Sequence, residues 1–215
     1  MPRLDILDWG AAVDYAEAEA RQERLLADRV ADRIPDTLVL LEHRPVFTLG
    51  RSANPANIVW SDAELSRRRI SRAVTSRGGD TTYHGPGQLV GYPIVHLKQA
   101  GITLLAYIDA LEETLIRALA ACGAIGARDR RNRGVWVGND KIAAIGIRVS
   151  RQVTMHGFAL NVNTRLDDYG GIVACGLRDA GVTSLARVLS RPQDMAAVKA
   201  AVVASFRDVF SYPAS

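Results

Sequence analysis

Cysteine, lysine and aromatic side chains are all scarce in this chain of 215 residues. Two cysteines, Cys122 and Cys175, cannot build a disulfide framework at this length, so both are expected as thiols in a reducing compartment. No window approaches the ~18 uninterrupted apolar residues of a membrane span. The segment Met1 to Asp8 lacks the basic-then-apolar order of a secretory leader. A cytoplasmic protein without membrane attachment is therefore expected. Aromatics make up 6%, and no stacking series or nucleic-acid motif accompanies the basic residues, which argues against a nucleic-acid partner. The four histidines, His43, His84, His96 and His156, show neither HxxxH nor HExxH spacing, and no CxxC occurs, so a metal site has little support.

What remains is ordinary for a single globular domain covering residues 1–215: 48% apolar and 23% charged residues, with no repeat, low-complexity tract or linker. The net charge of +4 comes almost wholly from arginine, since the only lysines are Lys98, Lys141 and Lys199. Arginine clusters at Arg67–Arg69 and between Arg128 and Arg133. Such clusters can neutralise phosphates, steer an acidic protein partner, or simply face solvent.

The pattern alternates helices and strands. Residues 14–33 are rich in Ala, Glu, Arg and Leu and read as a helix. Residues 37–41 form an apolar run typical of a buried strand, with 46–50 as its expected partner. Strands are expected at 70–76 and 89–96. Leu104, Ile108, Leu111, Leu115 and Leu119 make one stripe at helical spacing, capped by Thr103 and stopped at Gly123. Residues 135–137 and 141–149 read as a hairpin around Gly138-Asn139-Asp140, with 153–162 following as a third antiparallel strand. A last helix is expected over 192–210. The interleaving supports an α/β or α+β domain.

Between the strands at 70–76 and 89–96 lies Arg77-Gly78-Gly79-Asp80-Thr81-Thr82-Tyr83-His84-Gly85-Pro86-Gly87-Gln88, read as a glycine-rich loop. Glycines there let backbone N–H groups approach a ligand. Two further dense segments follow: Gly138 to Ile147 running on to His156-Gly157-Phe158-Ala159-Leu160-Asn161-Val162, and Gly170 to Leu177. Cys122 ends a predicted helix and reads as a small hydrophobe, whereas Cys175 sits among glycines in polar sequence. A thiol becomes a nucleophile only as its thiolate, which needs a nearby cation or base. Lys141 opens an apolar strand in a chain that otherwise uses arginine, and a partly desolvated lysine suits that task.

These three segments, in this order, resemble the octanoyltransferases, also called lipoyl(octanoyl) transferases: RGG-x-x-TYHGPGQ, then G-x-x-KIAAIG with HGFALNV, then CG. The resemblance runs from about Leu38 to about Leu185. It implies a mixed sheet flanked by helices, the fold shared by biotin and lipoate protein ligases. It implies Cys175 as the acyl-thioester nucleophile and Lys141 as the group that lowers its pKa and moves protons. It also implies substrate contacts from Arg77, Gly78, Gly79, Asp80, Thr81, Thr82, Tyr83 and His84, from Ala144, Ile145 and Gly146, and from Gly157, Phe158 and Ala159. His84 would line the pocket and is not the family's base. The implied donor is octanoyl-acyl carrier protein. The implied acceptors are lipoyl domains of 2-oxoacid dehydrogenase complexes and the glycine cleavage H protein, with no cofactor. Ala174 departs from the family, which commonly has proline before the cysteine. The alternative of the same fold is an ATP-dependent lipoate-protein ligase, which needs no cysteine nucleophile.

Overall fold

The computed structural model describes residues 3–173 and 181–213. The chain opens with strand β1 (Leu4–Asp8) and helix α1 (Tyr15–Val30), whose start is fixed by Asp14 accepting hydrogen bonds from the N–H groups of Ala16 and Glu17. It then enters β2 (Asp36–Leu41), parallel to β1, so α1 is the crossover of a βαβ unit. Next come β3 (Val46–Leu49), α2 (Asp62–Arg68), β4 (Ser71–Val74), β5 (Thr81–His84) and β6 (Gln88–Ile94). Helix α3 (Leu104–Ala121) precedes β7 (Gly134–Val137), β8 (Asp140–Ser150) and β9 (Val153–Asn161). The chain finishes with β10 (Gly181–Val182), α4 (Leu185–Val188) and α5 (Met195–Val209).

Two sheets result. The larger has the order β1-β2-β6-β9-β8-β10, with β7 also paired to β8; the smaller is β4-β3-β5. The large sheet mixes parallel and antiparallel pairs and is covered on both faces. Alternation along β2 shows how: Leu38 and Leu40 join the core under α3 and α5, while Val39 and Leu41 face α1 together with Val13 and Ala18. The α3 stripe closes one side, with Leu111, Leu115 and Leu119 essentially inaccessible. Each such leucine contributes roughly 2 kcal/mol by leaving water. No helix among the described residues is long and apolar enough to cross a membrane.

The long helices, the hairpin and the third antiparallel strand lie where the sequence pattern puts them. Two expectations change. Residues 46–49 do not pair with 36–41, because β1 and β6 occupy both edges of β2; β3 instead nucleates the second sheet, parallel to β4 and antiparallel to β5. The glycine-rich segment is not one loop either. Its Thr81–His84 portion is a strand, consistent with the preference of Thr and Tyr for pleated backbone. Strand β1 and helix α2 were not anticipated by the periodicity.

Candidate active site

A cavity of about 130 Å³ opens where the large sheet, α1 and the small sheet meet. That is roughly ten times the space a single trapped water needs. Its walls come from α1 (Tyr15), the segment after β4 (Arg77, Gly79, Asp80), β5 (Thr82, His84), β6 (Tyr92) and the loop before β7 (Asn132). Strands β8 and β9 supply Lys141, Ala144, Ile145 and Gly146, and His156, Gly157, Phe158 and Ala159.

Strand β8 brings Lys141 to this cavity by a β-bulge. Trp136 faces Lys141 and Val135 faces Ala143, so β8 holds one residue more than β7 between those pairs. The consequence is visible in the packing. Consecutive residues Ile142 and Ala143 both enter the core under α3 and α5, while Lys141, Ala144 and Gly146 line the cavity on the other face. In an unbroken pleat, residues three positions apart such as Lys141 and Ala144 would point to opposite faces; the bulge brings them to the same one. The lysine stem crosses Gly134, whose φ of +129° and missing side chain leave the lane open; a Cβ there would lie 2.6 Å from Lys141 Cε. Its ammonium reaches to 5.3 Å from the centre of the Trp136 ring.

The glycine-rich segment is laced over the edge of β8. Gly78 donates its N–H to the Ile147 carbonyl at 2.9 Å, and the Gly50–Ser52 turn donates to the carbonyls of Arg77, Gly79 and Asp80. Gly79 adopts φ +89°. In β5 the two-residue alternation then divides the motif: Thr82 and His84 line the cavity, whereas Thr81 and Tyr83 are buried away from it. Tyr83 donates its hydroxyl hydrogen to Asp168 at 3.0 Å, and Gln88 donates to Tyr169 at 3.1 Å. The outer half of the motif thus anchors the 3-10 turn Leu166–Gly171. Phe158 borders the cavity, but its ring packs across Gly91 in the core under α3.

Three buried histidines surround the site, and burial holds all of them neutral. His43 is pushed down to about 4 and His156 to about 3 by desolvation, with the Arg77 charge adding to the effect on His156; His84 is likewise driven well below 6.5. The hydrogen bonds fix two tautomers. His43 Nδ1 faces the Val13 carbonyl at 3.1 Å and must carry hydrogen, so its Nε2 accepts from the Tyr92 hydroxyl at 2.6 Å. Gln88 donates its amide to the Tyr83 carbonyl, so its oxygen is the acceptor for His84 Nδ1–H at 2.8 Å. His156 sits at φ +59° with Nε2 3.2 Å from the Ser76 hydroxyl. Arg77 is buried as a cation, donating to the carbonyl and hydroxyl of Thr48 and to the Gly78 carbonyl.

Cys175 lies outside the described residues, and the chain on each side of it is tied to the site. Upstream, the Val173 N–H donates to the Asn57 carbonyl at 2.8 Å. Downstream, Gly181 and Val182 pair in parallel with Asp140 and Lys141, and Thr183 N–H donates to the Lys141 carbonyl at 3.0 Å. Asn161 holds that strand through Nδ2 to the Thr183 carbonyl.

Comparison with known proteins gives this arrangement its family. Residues 14–207 match the lipoyl protein ligase A/B catalytic domain. An octanoyltransferase of Alkaliphilus metalliredigens is 47% identical over 97% of this chain and 96% of its own. One from Desulforamulus reducens is 45% identical over 93% and 88% respectively. The chain belongs to the octanoyltransferase family. It is therefore an acyltransferase enzyme. The fold agrees with a T. acidophilum putative lipoate protein ligase with bound lipoic acid (TM-score 0.72, 16% identity, 97% of this chain and 86% of that one). It agrees also with the Aquifex aeolicus biotin protein ligase in complex with biotin and ATP (0.57, 16%, 98% and 71%).

Within this octanoyltransferase-family chain, Lys141, Ala144 to Gly146, Gly157 to Ala159 and the inner half of the glycine-rich motif converge on one cavity. Gly78, Thr81 and Tyr83 stand behind that wall. Sequence reasoning missed Tyr15, Tyr92 and Asn132, which line the cavity. A tyrosine one residue past a helix N-cap and one inside a buried strand carry no sequence signal of a site. Asn161 sat in a recognised motif and was passed over. Most of the arginine clusters are committed within the molecule: Arg67 and Arg68 to Glu64, Arg128 to Glu112 and Glu113, Arg131 to Asp129, and Arg133 to Asp109 and Glu112.

Proposed function

We propose that this enzyme carries an octanoyl group from the phosphopantetheine thiol of octanoyl-acyl carrier protein to a lysine of a lipoyl domain, through a thioester on Cys175. The observation that carries the reading is the bulge in β8. It faces an amine, Lys141, into a cavity walled by small residues, beside the strand that follows Cys175 in the chain.

In the first half-reaction the Cys175 thiolate attacks the thioester carbonyl. The carbon–sulfur bond to the carrier breaks, and the departing thiolate takes a proton from Lys141. The acyl chain lies along Ala144, Gly146, Gly157 and Ala159, and Arg77, Gly79, Asp80, Thr82 and His84 close the opposite wall. In the second half-reaction the acceptor amine gives a proton to Lys141 and attacks the acyl-enzyme, and Cys175 leaves as thiolate. Thioester to amide is downhill, so the route consumes no ATP. The neutral histidines leave the lysine as the cavity's proton carrier at physiological pH, because their folded pKa values lie far below it. The acceptors served are lipoyl domains of 2-oxoacid dehydrogenases and the glycine cleavage H protein.

Intact-protein mass spectrometry after mixing the enzyme with octanoyl-acyl carrier protein tests this. The expected result is one octanoyl adduct on the unaltered protein, none on Cys175→Ala, and loss of the adduct when apo lipoyl domain is added. Modification that appears only with ATP and free octanoate would identify a ligase and overturn the reading.

A further inference from the structure

We infer that Asn57 is a positioning residue for Cys175, acting through a side-chain bridge to Asp80; the inference rests on the thioester reading above. Asn57 closes the 3-10 turn Pro55–Asn57, whose start is capped by Asn54 accepting from the Ala56 N–H. Its two amide groups face different parts of the site. The side chain donates from Nδ2 to Asp80 Oδ2 at 2.7 Å, joining it to the glycine-rich wall of the cavity. The backbone carbonyl accepts from the Val173 N–H at 2.8 Å, two residues before Cys175. The pairing continues outward, since Ile58 bridges Ile172 antiparallel and the Val59 N–H donates to the Gly171 carbonyl. One residue therefore couples the cavity wall to the backbone that leads into Cys175.

Asp80 is built for the part. Its other oxygen accepts from the Thr81 N–H at 2.7 Å, which fixes the carboxylate's orientation at the entrance to β5. Asn57 and Asp80 are both only half-buried, so the bridge contributes little to global stability. Its effect falls on geometry. Attack on a thioester needs sulfur and carbonyl carbon near 3–3.5 Å, and a misplacement of about 1 Å costs on the order of a hundredfold in rate.

The test is the rate of octanoyl adduct formation on Cys175, read by quenched mass spectrometry at saturating octanoyl-acyl carrier protein. Asn57→Ala keeps the carbonyl bond to Val173 and removes only the bridge. Asn57→Asp sets two carboxylates against each other. Both are expected to slow acylation by about 10- to 100-fold with the donor KM and the melting temperature little changed. The exchange Asn57→Asp with Asp80→Asn rebuilds the bond with its direction reversed and leaves an oxygen for the Thr81 N–H. Faster acylation in the exchange than in Asn57→Asp alone is the expected signature, because Asp80 also lines the cavity wall. Unchanged acylation in Asn57→Ala, or an exchange no faster than Asn57→Asp alone, would overturn the inference. An unaltered enzyme that forms no adduct on Cys175 would instead overturn the thioester reading, and this inference with it.

Discussion

Lys141 and Ala144 line the same cavity although they stand an odd number of positions apart on one strand, because β8 carries one more residue than β7 between the Trp136–Lys141 and Val135–Ala143 pairs. The amine and the small-residue floor beside it are thus brought together by a bulge, a device common where a strand must re-aim a side chain.

Filling the floor should block the acyl chain without unfolding the protein. In Ala144→Phe the new ring enters open cavity, so the cost of overpacking a filled core does not apply. Transfer of octanoyl should fall at least about tenfold, while acetyl or butyryl donors lose less, since one methylene in an apolar slot is worth ~1 kcal/mol or more. Equal losses across chain lengths would show that this residue does not meet the chain.

On the thioester proposal, removing the lysine should quiet the Cys175 thiol. Lys141→Met is expected to lower iodoacetamide alkylation of Cys175 at pH 7 by about tenfold or more, because an adjacent cation raises the thiolate fraction. Cys122, half-buried and with its pKa pushed up by desolvation, serves as the internal control and should react slowly in both proteins. Identical Cys175 alkylation rates across pH 6–9 would contradict the assigned role.

Gly157 is a stability prediction. A Cβ there would collide with the Gly91 carbonyl oxygen and crowd Pro93 on the neighbouring strand, where the contact is backbone and cannot swing aside. Gly157→Ala should cost roughly 1–3 kcal/mol, read as a lower midpoint in urea with an unchanged slope. A midpoint equal to the parent's would mean that β6 and β9 separate freely at this point.

The buried histidines make stability depend on pH. Folded His43 and His156 titrate at about 4 and about 3, against an ordinary 6.5 in the unfolded chain. The unfolded state therefore binds more protons below pH 6.5, and stability falls as the pH drops. From pH 7 to pH 5 the expected loss is about 2 kcal/mol for each, in a range above most carboxylate titrations. Chemical denaturation at both pH values measures it. Constant stability over that interval would mean that both imidazoles take up their protons within the fold.

Some elements were legible in the residues because their information is local. The α3 stripe from Ile108 to Leu119, its Thr103 cap and the Gly138 turn depend on neighbours within a few residues, and each stands where its pattern put it, although Leu104 at the head of the stripe stays exposed. The motif around Lys141 and the glycine-rich segment was equally plain. Pairing was not legible. Val46–Leu49 and Asp36–Leu41 are both short apolar runs, and their assignment to different sheets depends on β1 and β6 arriving from distant parts of the chain. Tyr15 and Tyr92 reached the site in the same way, one from a helix start and one from a strand.

Sequence alone determined which groups this enzyme has to work with: Lys141, one of three lysines in a chain that otherwise uses arginine, a cysteine among glycines, and small residues at Ala144, Gly146 and Gly157. It also determined the family, through motifs read residue by residue. Tertiary structure decided what those groups face. The face of a strand changes with a single inserted residue, and that insertion exists only relative to a partner strand. The neutrality of His43, His84 and His156 was decided there too, because the desolvation that sets it comes from residues far away in the chain.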